Sequence, residues 1–481
     1  MGMQKLVGML GAVIAIFLPV SLGAQITFDR TYDGPGAEWS YHAEQISDGG
    51  YIVVGKTNSF GAGGNDVWLI KTDNLGDTLW TRTYGGAQED YGLCVRQTHD
   101  GGYIITANTM SYGAGSFDGW IIKTDVAGYV EWDTTFGFYG PDYASHVIQT
   151  SDNNYVIVGQ SEYNTYLAKL NAAGHFIWSR SFWPDTSSYG YGVDQTSDGG
   201  YIVTGNFQIV PLGSHYPLLL KTDAAGNQEW LRVYSESAGW GNSVTQTSDG
   251  GYFFAGEWNG AGSVMKTNVT GDSIWAYTFP YDGAGCAVRS CVEASDGGYV
   301  VGGDLYQGDI AKFNASGDTL WKRYFPGILA SSVEQTADGG FIIAGSDGVA
   351  AYKYVRLIKT DALGYVGVEE ERGIVPTSIY LSQNYPNPFT HRTSIQYAVD
   401  SRQRRDKNLT TDYCLLTTLK IFDLSGRLVR TLVDEPQKAG YYNVSWDGKD
   451  SSGNVVGTGI YFYQLKTSGG FKEVRKMLLL K

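Results

Sequence analysis

The sequence predicts an all-β protein: a seven-bladed β-propeller whose last blade is closed by a strand from near the N-terminus, followed by a small β-sandwich. Three observations support this. An Asp-Gly-Gly-aromatic turn recurs along the chain. A glycine and a tryptophan recur at fixed distances behind a second turn. The final repeat lacks its outer strand, and a matching strand stands near the start.

The first turn occurs at Asp48, Asp100, Asp198, Asp249, Asp296 and Asp338, with a variant at Asp152-Asn153-Asn154-Tyr155. These seven copies are spaced 52, 52, 46, 51, 47 and 42 residues apart, a period that marks stacked supersecondary units. Each copy reads as four strands. The first ends in a pattern such as Val95-Arg96-Gln97-Thr98, and Asp-Gly supplies the positive-φ positions of a tight hairpin. Tyr51-Ile52-Val53-Val54 exemplifies the second strand and Asp66 to Asp73 the third, rich in β-branched and aromatic residues. In the fourth, Trp80, Arg82 and Tyr84 share one face because side chains alternate with period two.

Behind the third strand, glycine falls three residues after an Asp or Asn in every copy: Gly76, Gly128, Gly174, Gly226, Gly271, Gly317 and Gly364. Tryptophan falls seven after it in six copies: Trp80, Trp132, Trp178, Trp230, Trp275 and Trp321. The seventh copy has Val368 there, followed by Glu369-Glu370-Glu371. The missing strand is matched by Phe28-Asp29-Arg30-Thr31-Tyr32, which aligns with Trp80-Thr81-Arg82-Thr83-Tyr84. Such a clasp removes two unpaired sheet edges and serves a closed ring, not an open solenoid.

The turn-then-Trp pattern resembles the tryptophan-docking repeats of quinoprotein-like propellers. The resemblance implies scaffold only, with no cofactor constellation to carry over. The repeats also resemble the Asp-box of sialidases, but there the glycine falls two residues after the aspartate. With no arginine cluster either, the sequence argues against a sialidase.

After a Glu-rich linker (368–378) come Leu381-Ser382-Gln383-Asn384-Tyr385-Pro386-Asn387-Pro388-Phe389, Ile421 to Arg427, Trp446-Asp447-Gly448 and Gly459 to Tyr463. The last segment is Lys476, Met477, Leu478, Leu479, Leu480 and Lys481. In this order the five segments resemble the type A C-terminal sorting domain of the type IX secretion system and the immunoglobulin-like domain of flagellar hook-capping proteins. The resemblance covers about 377–481 and implies an Ig-like sandwich over 379–481 with the sorting signal in its final six residues. It further implies the type IX machinery as partner and a Gram-negative export route through periplasm and outer membrane to the surface or medium. Asp400 to Thr418 is longer and more charged than the family's usual connection.

Residues 1–24 read as a signal peptide: Lys5, an apolar run Leu10 to Val20, then small residues through Ala24. That run is too short for a membrane anchor, and no other stretch qualifies. The propeller is then expected over 25–367, as a monomer. Only 17% of residues are charged while Gly (65) and Tyr (35) abound, which suits short strands and glycine turns. Residues 369–481 carry 16 Lys+Arg against 12 Asp+Glu, and the rest 19 against 37. An acidic propeller argues against nucleic acid as a partner. Cys286 and Cys291 would stand roughly 16 Å apart on one extended strand, beyond the ~7 Å reach of a disulfide. No disulfide framework is expected.

No zinc, phosphate-loop or calcium-hand motif is present, so no metal or cofactor is expected. Gln45, Gln97, Gln149, Gln195, Gln246 and Gln335, with Glu293 in the odd blade, recur at one position. They are expected to bridge backbone groups between strands or blades, since buried amides must be bonded. Asp73 and its equivalents, like Asp447 and Asp450, are expected to cap turns.

Candidate ligand residues are assigned to the loops entering the first strand and joining the second to the third: Trp39, His42, Asp90, Tyr91, Asp142, Tyr143, His146, Trp183, Tyr189, Trp240 and Trp258. Aromatic faces beside carboxylates suit sugars or cationic groups. Five of these aromatics recur at one repeat position, which equally fits packing between blades. Two functions follow. The first is a secreted or surface binding or adhesion module for a glycan or protein ligand. The alternative is a polysaccharide hydrolase, which needs paired carboxylates about 5–10 Å apart in one pocket.

Overall fold

The computed structural model describes residues 26–183, 187–208, 213–280, 286–305, 308–347, 354–366, 379–381, 384, 387, 389–390, 393–399, 414–438 and 440–480. The expected signal peptide and linker, Lys481 and most of the long connection after Asp400 lie outside the described residues. The chain divides into two compact units between residues 367 and 368.

The first unit is the seven-bladed propeller. Seven four-stranded antiparallel sheets span 38–84, 90–136, 143–182, 188–233, 239–278, 287–323 and 328–360, the last completed by Phe28–Tyr32. That strand pairs antiparallel with Val355–Thr360, in the register Phe28 opposite Lys359 and Tyr32 opposite Val355. Arg356 Nε adds an ion-paired hydrogen bond of 2.8 Å to Asp29.

A single blade has no core of its own. The buried residues fall into seven clusters, each between consecutive blades: Val54 and Leu69 meet Tyr103 and Ile105 across blades 1 and 2. Across the closing interface, Phe28, Tyr32 and Leu357 meet Tyr51 and Trp68. The tryptophan of each blade lies on the turn glycine of the next. At Gly128 (φ +79°), a Cβ would come within 2.9 Å of the Trp80 ring, so both the backbone angle and the close approach require glycine. Phe28 occupies the equivalent place over Gly76. Tyr32 donates from its hydroxyl to the Gly76 carbonyl (2.7 Å), as Tyr84 does to Gly128 (2.7 Å).

Polar groups repeat around the same ring. The oxygen of Gln97 accepts the Ser47 N–H of the preceding blade (2.7 Å), and Gln45 accepts that of Ala337 across the closure (2.8 Å). The other copies do likewise. Glu293, in the odd blade, takes the Ser248 hydroxyl (2.8 Å) as well as its N–H (2.7 Å). Asp73 Oδ1 accepts the backbone N–H groups of Leu75 and Asp77, as a turn cap. A further repeat joins the third strand to the first turn: Lys71 pairs with Asp48 (2.8 Å), and the equivalent lysine does so in every blade. All four cysteines are free.

The second unit is a sandwich of two sheets. One holds Tyr380–Leu381, Thr393–Val399 and Gly440–Trp446. The other holds Leu428–Gln437, Leu415–Phe422, Gly459–Thr467 and Lys472–Leu479. Trp446, Tyr463, Met477 and Leu479 lie in its core. Phe389 exchanges backbone bonds with Leu478 and Leu480, so two separated strings of the sequence pattern meet here. No helix among the described residues is long and apolar enough to cross a membrane.

Replacing Phe28 with Ala should cost about 3 kcal/mol or more by urea unfolding, because it empties the interface that closes the ring. Leu79→Ala, on an exposed outer-strand side chain (56%), should change stability by less than about 0.5 kcal/mol. Equal effects would remove closure from the account of stability.

Candidate functional site

The first strand of each blade lines the central channel, and each is interrupted by a β-bulge. The register skips one residue between Ser40 and His42 and again at the equivalent place in all seven blades. The skipped residues are Tyr41, Leu93, Ser145, Tyr191, Asn242, Arg289 and Ser331. All seven line a cavity of about 230 Å³. A bulge bends its strand and re-aims a side chain, so the repeat presents one variable residue per blade to the channel.

An ion cluster crosses the channel near the far ends of these strands. Arg96 Nη1 donates to Glu44 (3.1 Å) and Glu334 (2.8 Å), and Nη2 faces His146 Nε2 at 3.4 Å. His42 Nε2 lies 3.5 Å from Glu334. The two carboxylates share one guanidinium nitrogen yet shift in opposite directions. Burial dominates at Glu44 and raises its pKa. At Glu334 burial is outweighed by Arg96 and His42, which pull it down to about 2. Burial, Arg96 and His42 together hold His146 neutral well below its ordinary value. His42 is buried, and its Nδ1 has no hydrogen-bond partner.

The mouth carries an aromatic arc. Ring centroids run Tyr41–Tyr91 (6.5 Å), Tyr91–Phe117 (5.3 Å), Phe117–Tyr143 (6.0 Å), Tyr143–Tyr189 (5.9 Å) and Tyr189–Tyr191 (4.3 Å, stacked). It spans blades 1 to 4 and begins and ends on bulge residues. Burial raises the hydroxyl pKa of Tyr91 and Tyr191 to about 12, so both remain neutral hydrogen-bonding groups.

The sequence placed most candidates in loops; the structure corrects this. Trp39, His42, Asp90, Tyr91, Tyr143, His146, Tyr189 and Trp240 belong to the channel-lining strands, and Trp258 to the second strand of blade 5. Tyr91, Tyr143 and Tyr189 come together in the arc, and His42 and His146 in the ion cluster. The Lys56 ammonium lies 4.4 Å over the Trp39 ring. Trp240 is 38% exposed. Four candidates are engaged elsewhere. Asp90 accepts the Gly86 N–H (2.9 Å) and the Ser111 hydroxyl (2.6 Å). Asp142 accepts the N–H groups of Phe138 (2.8 Å) and Glu162 (3.0 Å). Trp183 packs on Phe182 and Phe207, and Trp258 on Phe254. The sequence reading omitted Phe117, Arg96, Glu44, Glu334 and Arg289. A visible signal was the residue four before each strand-end Gln, which changes from blade to blade. Among the described residues no group of three or more His, Cys, Asp or Glu is arranged to hold a metal.

Residues 415–470 match the family model of the FlgD Ig-like domain. No curated protein matches the chain. Among solved structures the chain is similar to virginiamycin B lyase from Staphylococcus aureus, at 10% identity and TM-score 0.48, over 69% of this chain and 99% of that one. It is also similar to the Dos1 propeller (9%, TM-score 0.47, 69% and 94%). The Neurospora crassa Pan2 WD40 domain is a third likeness (8%, TM-score 0.46, 70% and 96%).

The neutral His146 predicts a pH dependence. Unfolded, it binds a proton near pH 6.5 that the folded channel refuses, so stability falls as pH drops below that value. His146→Gln should flatten the loss between pH 7 and 5, by up to about 1.4 kcal/mol per pH unit. An unchanged slope in urea titrations would contradict this.

Proposed function

We propose that the propeller is a binding or adhesion module acting outside the cell, taking a saccharide across the channel mouth. The observation that carries this reading is the arc of half-buried rings from Tyr41 to Tyr191. Rings held by their neighbours offer apolar faces at small entropic cost, and Asn242 and Ser331, which line the same cavity as Tyr41 and Tyr191, suit sugar hydroxyls. Replacing Tyr143 with Ala should weaken binding of a saccharide identified on a glycan array by about tenfold, 1.4 kcal/mol. A glycan array on which the purified propeller binds nothing would contradict the reading, and capture of a protein ligand alone would replace it.

The C-terminal sandwich is, on this reading, the type IX sorting domain that carries the propeller through the outer membrane. The ordered set of five sequence segments supports it. A chain lacking 379–481 should accumulate in the periplasm of a host with that secretion system; undiminished secretion would refute the assignment.

A hydrolase remains the second reading, favoured by the opposite pKa shifts of Glu44 and Glu334. Against it, the Arg96 guanidinium stands between the two carboxylates, where a scissile oxygen or a water would need to be. The wild-type propeller should therefore release no sugar from substrates it binds.

A further inference from the structure

The described propeller residues include seventeen lysines and arginines, and sixteen of them are occupied. The buried lysines pair with the turn aspartates. Arg30, Arg96, Arg232 and Arg356 pair with carboxylates. Lys56, Arg82, Arg180, Lys322 and Arg323 lie over aromatic rings. Arg289 alone among them has no ion pair, hydrogen bond or ring contact. It is also the one cation among the seven bulge residues that line the cavity.

Its backbone position is fixed by the fold, and its side chain is exposed. The bulge aims it at the cavity, and Asn242 of blade 5 donates to the carbonyl of the preceding residue, Val288 (2.8 Å), bracing that backbone. The Tyr41 phenol, at one end of the aromatic arc, lies within its electrostatic reach. In a unit with nearly twice as many acidic as basic residues, a cavity-lining guanidinium without a carboxylate partner suits an anionic group. Guanidinium and carboxylate meet through paired, charge-assisted hydrogen bonds.

We propose that Arg289 recognises a carboxylate on the ligand, so that the mouth takes an acidic saccharide of the uronate class, its ring against the aromatic arc. This deepens the saccharide reading above and rests on it. A peptide's terminal carboxylate shares the charge chemistry, and the test separates the two sources.

The experiment is calorimetric titration of the propeller at 0.15 M salt with uronate oligosaccharides, with the same oligosaccharides reduced at the carboxyl, and with a short peptide carrying a free or amidated C-terminus. Uronates should bind at least tenfold more tightly than their reduced forms. Arg289→Gln should erase that difference while leaving the thermal midpoint unchanged, and Arg289→Lys should restore part of it. Equal binding of both saccharides, unaffected by Arg289→Gln, overturns the carboxylate assignment but leaves saccharide binding standing. Arg289-dependent binding of the free-carboxylate peptide alone overturns the uronate assignment. No saccharide binding at all overturns both readings.

Discussion

The structure depends on the docking of an aromatic ring from one blade onto the turn glycine of the next. Because each hydrophobic cluster is shared by two blades, a blade gains its core only through its neighbours. In an open row of seven, the two end faces would remain bare. Phe28, Tyr32 and the strand that carries them resolve this by joining the first and last strands of the propeller in one sheet. The hydrogen bond from Ala337 to Gln45 repeats the closure in polar form. Trp80 over Gly128 and Phe28 over Gly76 are thus one interaction, used to propagate the ring and then to seal it.

Closure in turn creates the channel. The bulge in each first strand serves no purpose in pairing, since it costs a ladder position. Its effect is to turn one side chain per blade inward while the flanking residues hold the blade. Repetition therefore separates scaffold from site: Lys71 with Asp48 recurs unchanged, whereas Tyr41, Leu93, Ser145, Tyr191, Asn242, Arg289 and Ser331 change from each blade to the next. Deeper in the channel Arg96 is saturated by Glu44 and Glu334. Free chemistry lies nearer the mouth, with the aromatic arc and Arg289.

The fold was legible because its determinants are periodic. Asp-Gly turns, Gly76-type glycines and Trp80-type tryptophans recur at fixed spacing, and one absent Trp pointed to the closing strand. The site was less legible. A bulge breaks the period-two alternation that reveals strand faces, so Trp39 to His42 read as loop when they are strand. Asp90 and Asp142 looked available until their loop contacts were seen. Phe117 completes the arc from a neighbouring loop, and nothing in its local sequence marks it. Arg289 lies four residues before Glu293, at the variable position, and stands out further once the partners of the other sixteen described propeller cations are known. The lysine two residues before each Asp73-type position was periodic and in view, and its role in the first turn could have been read.

The most direct test of the channel-mouth account is a hydrogen-exchange footprint of the propeller saturated with a uronate oligosaccharide. The account predicts slowed exchange at the bulges and arc, around residues 39–42, 91–93, 117, 143–146, 189–192, 241–243, 287–290 and 330–332. Protection confined to the outer strands or to the Asp-Gly-Gly turns would contradict it.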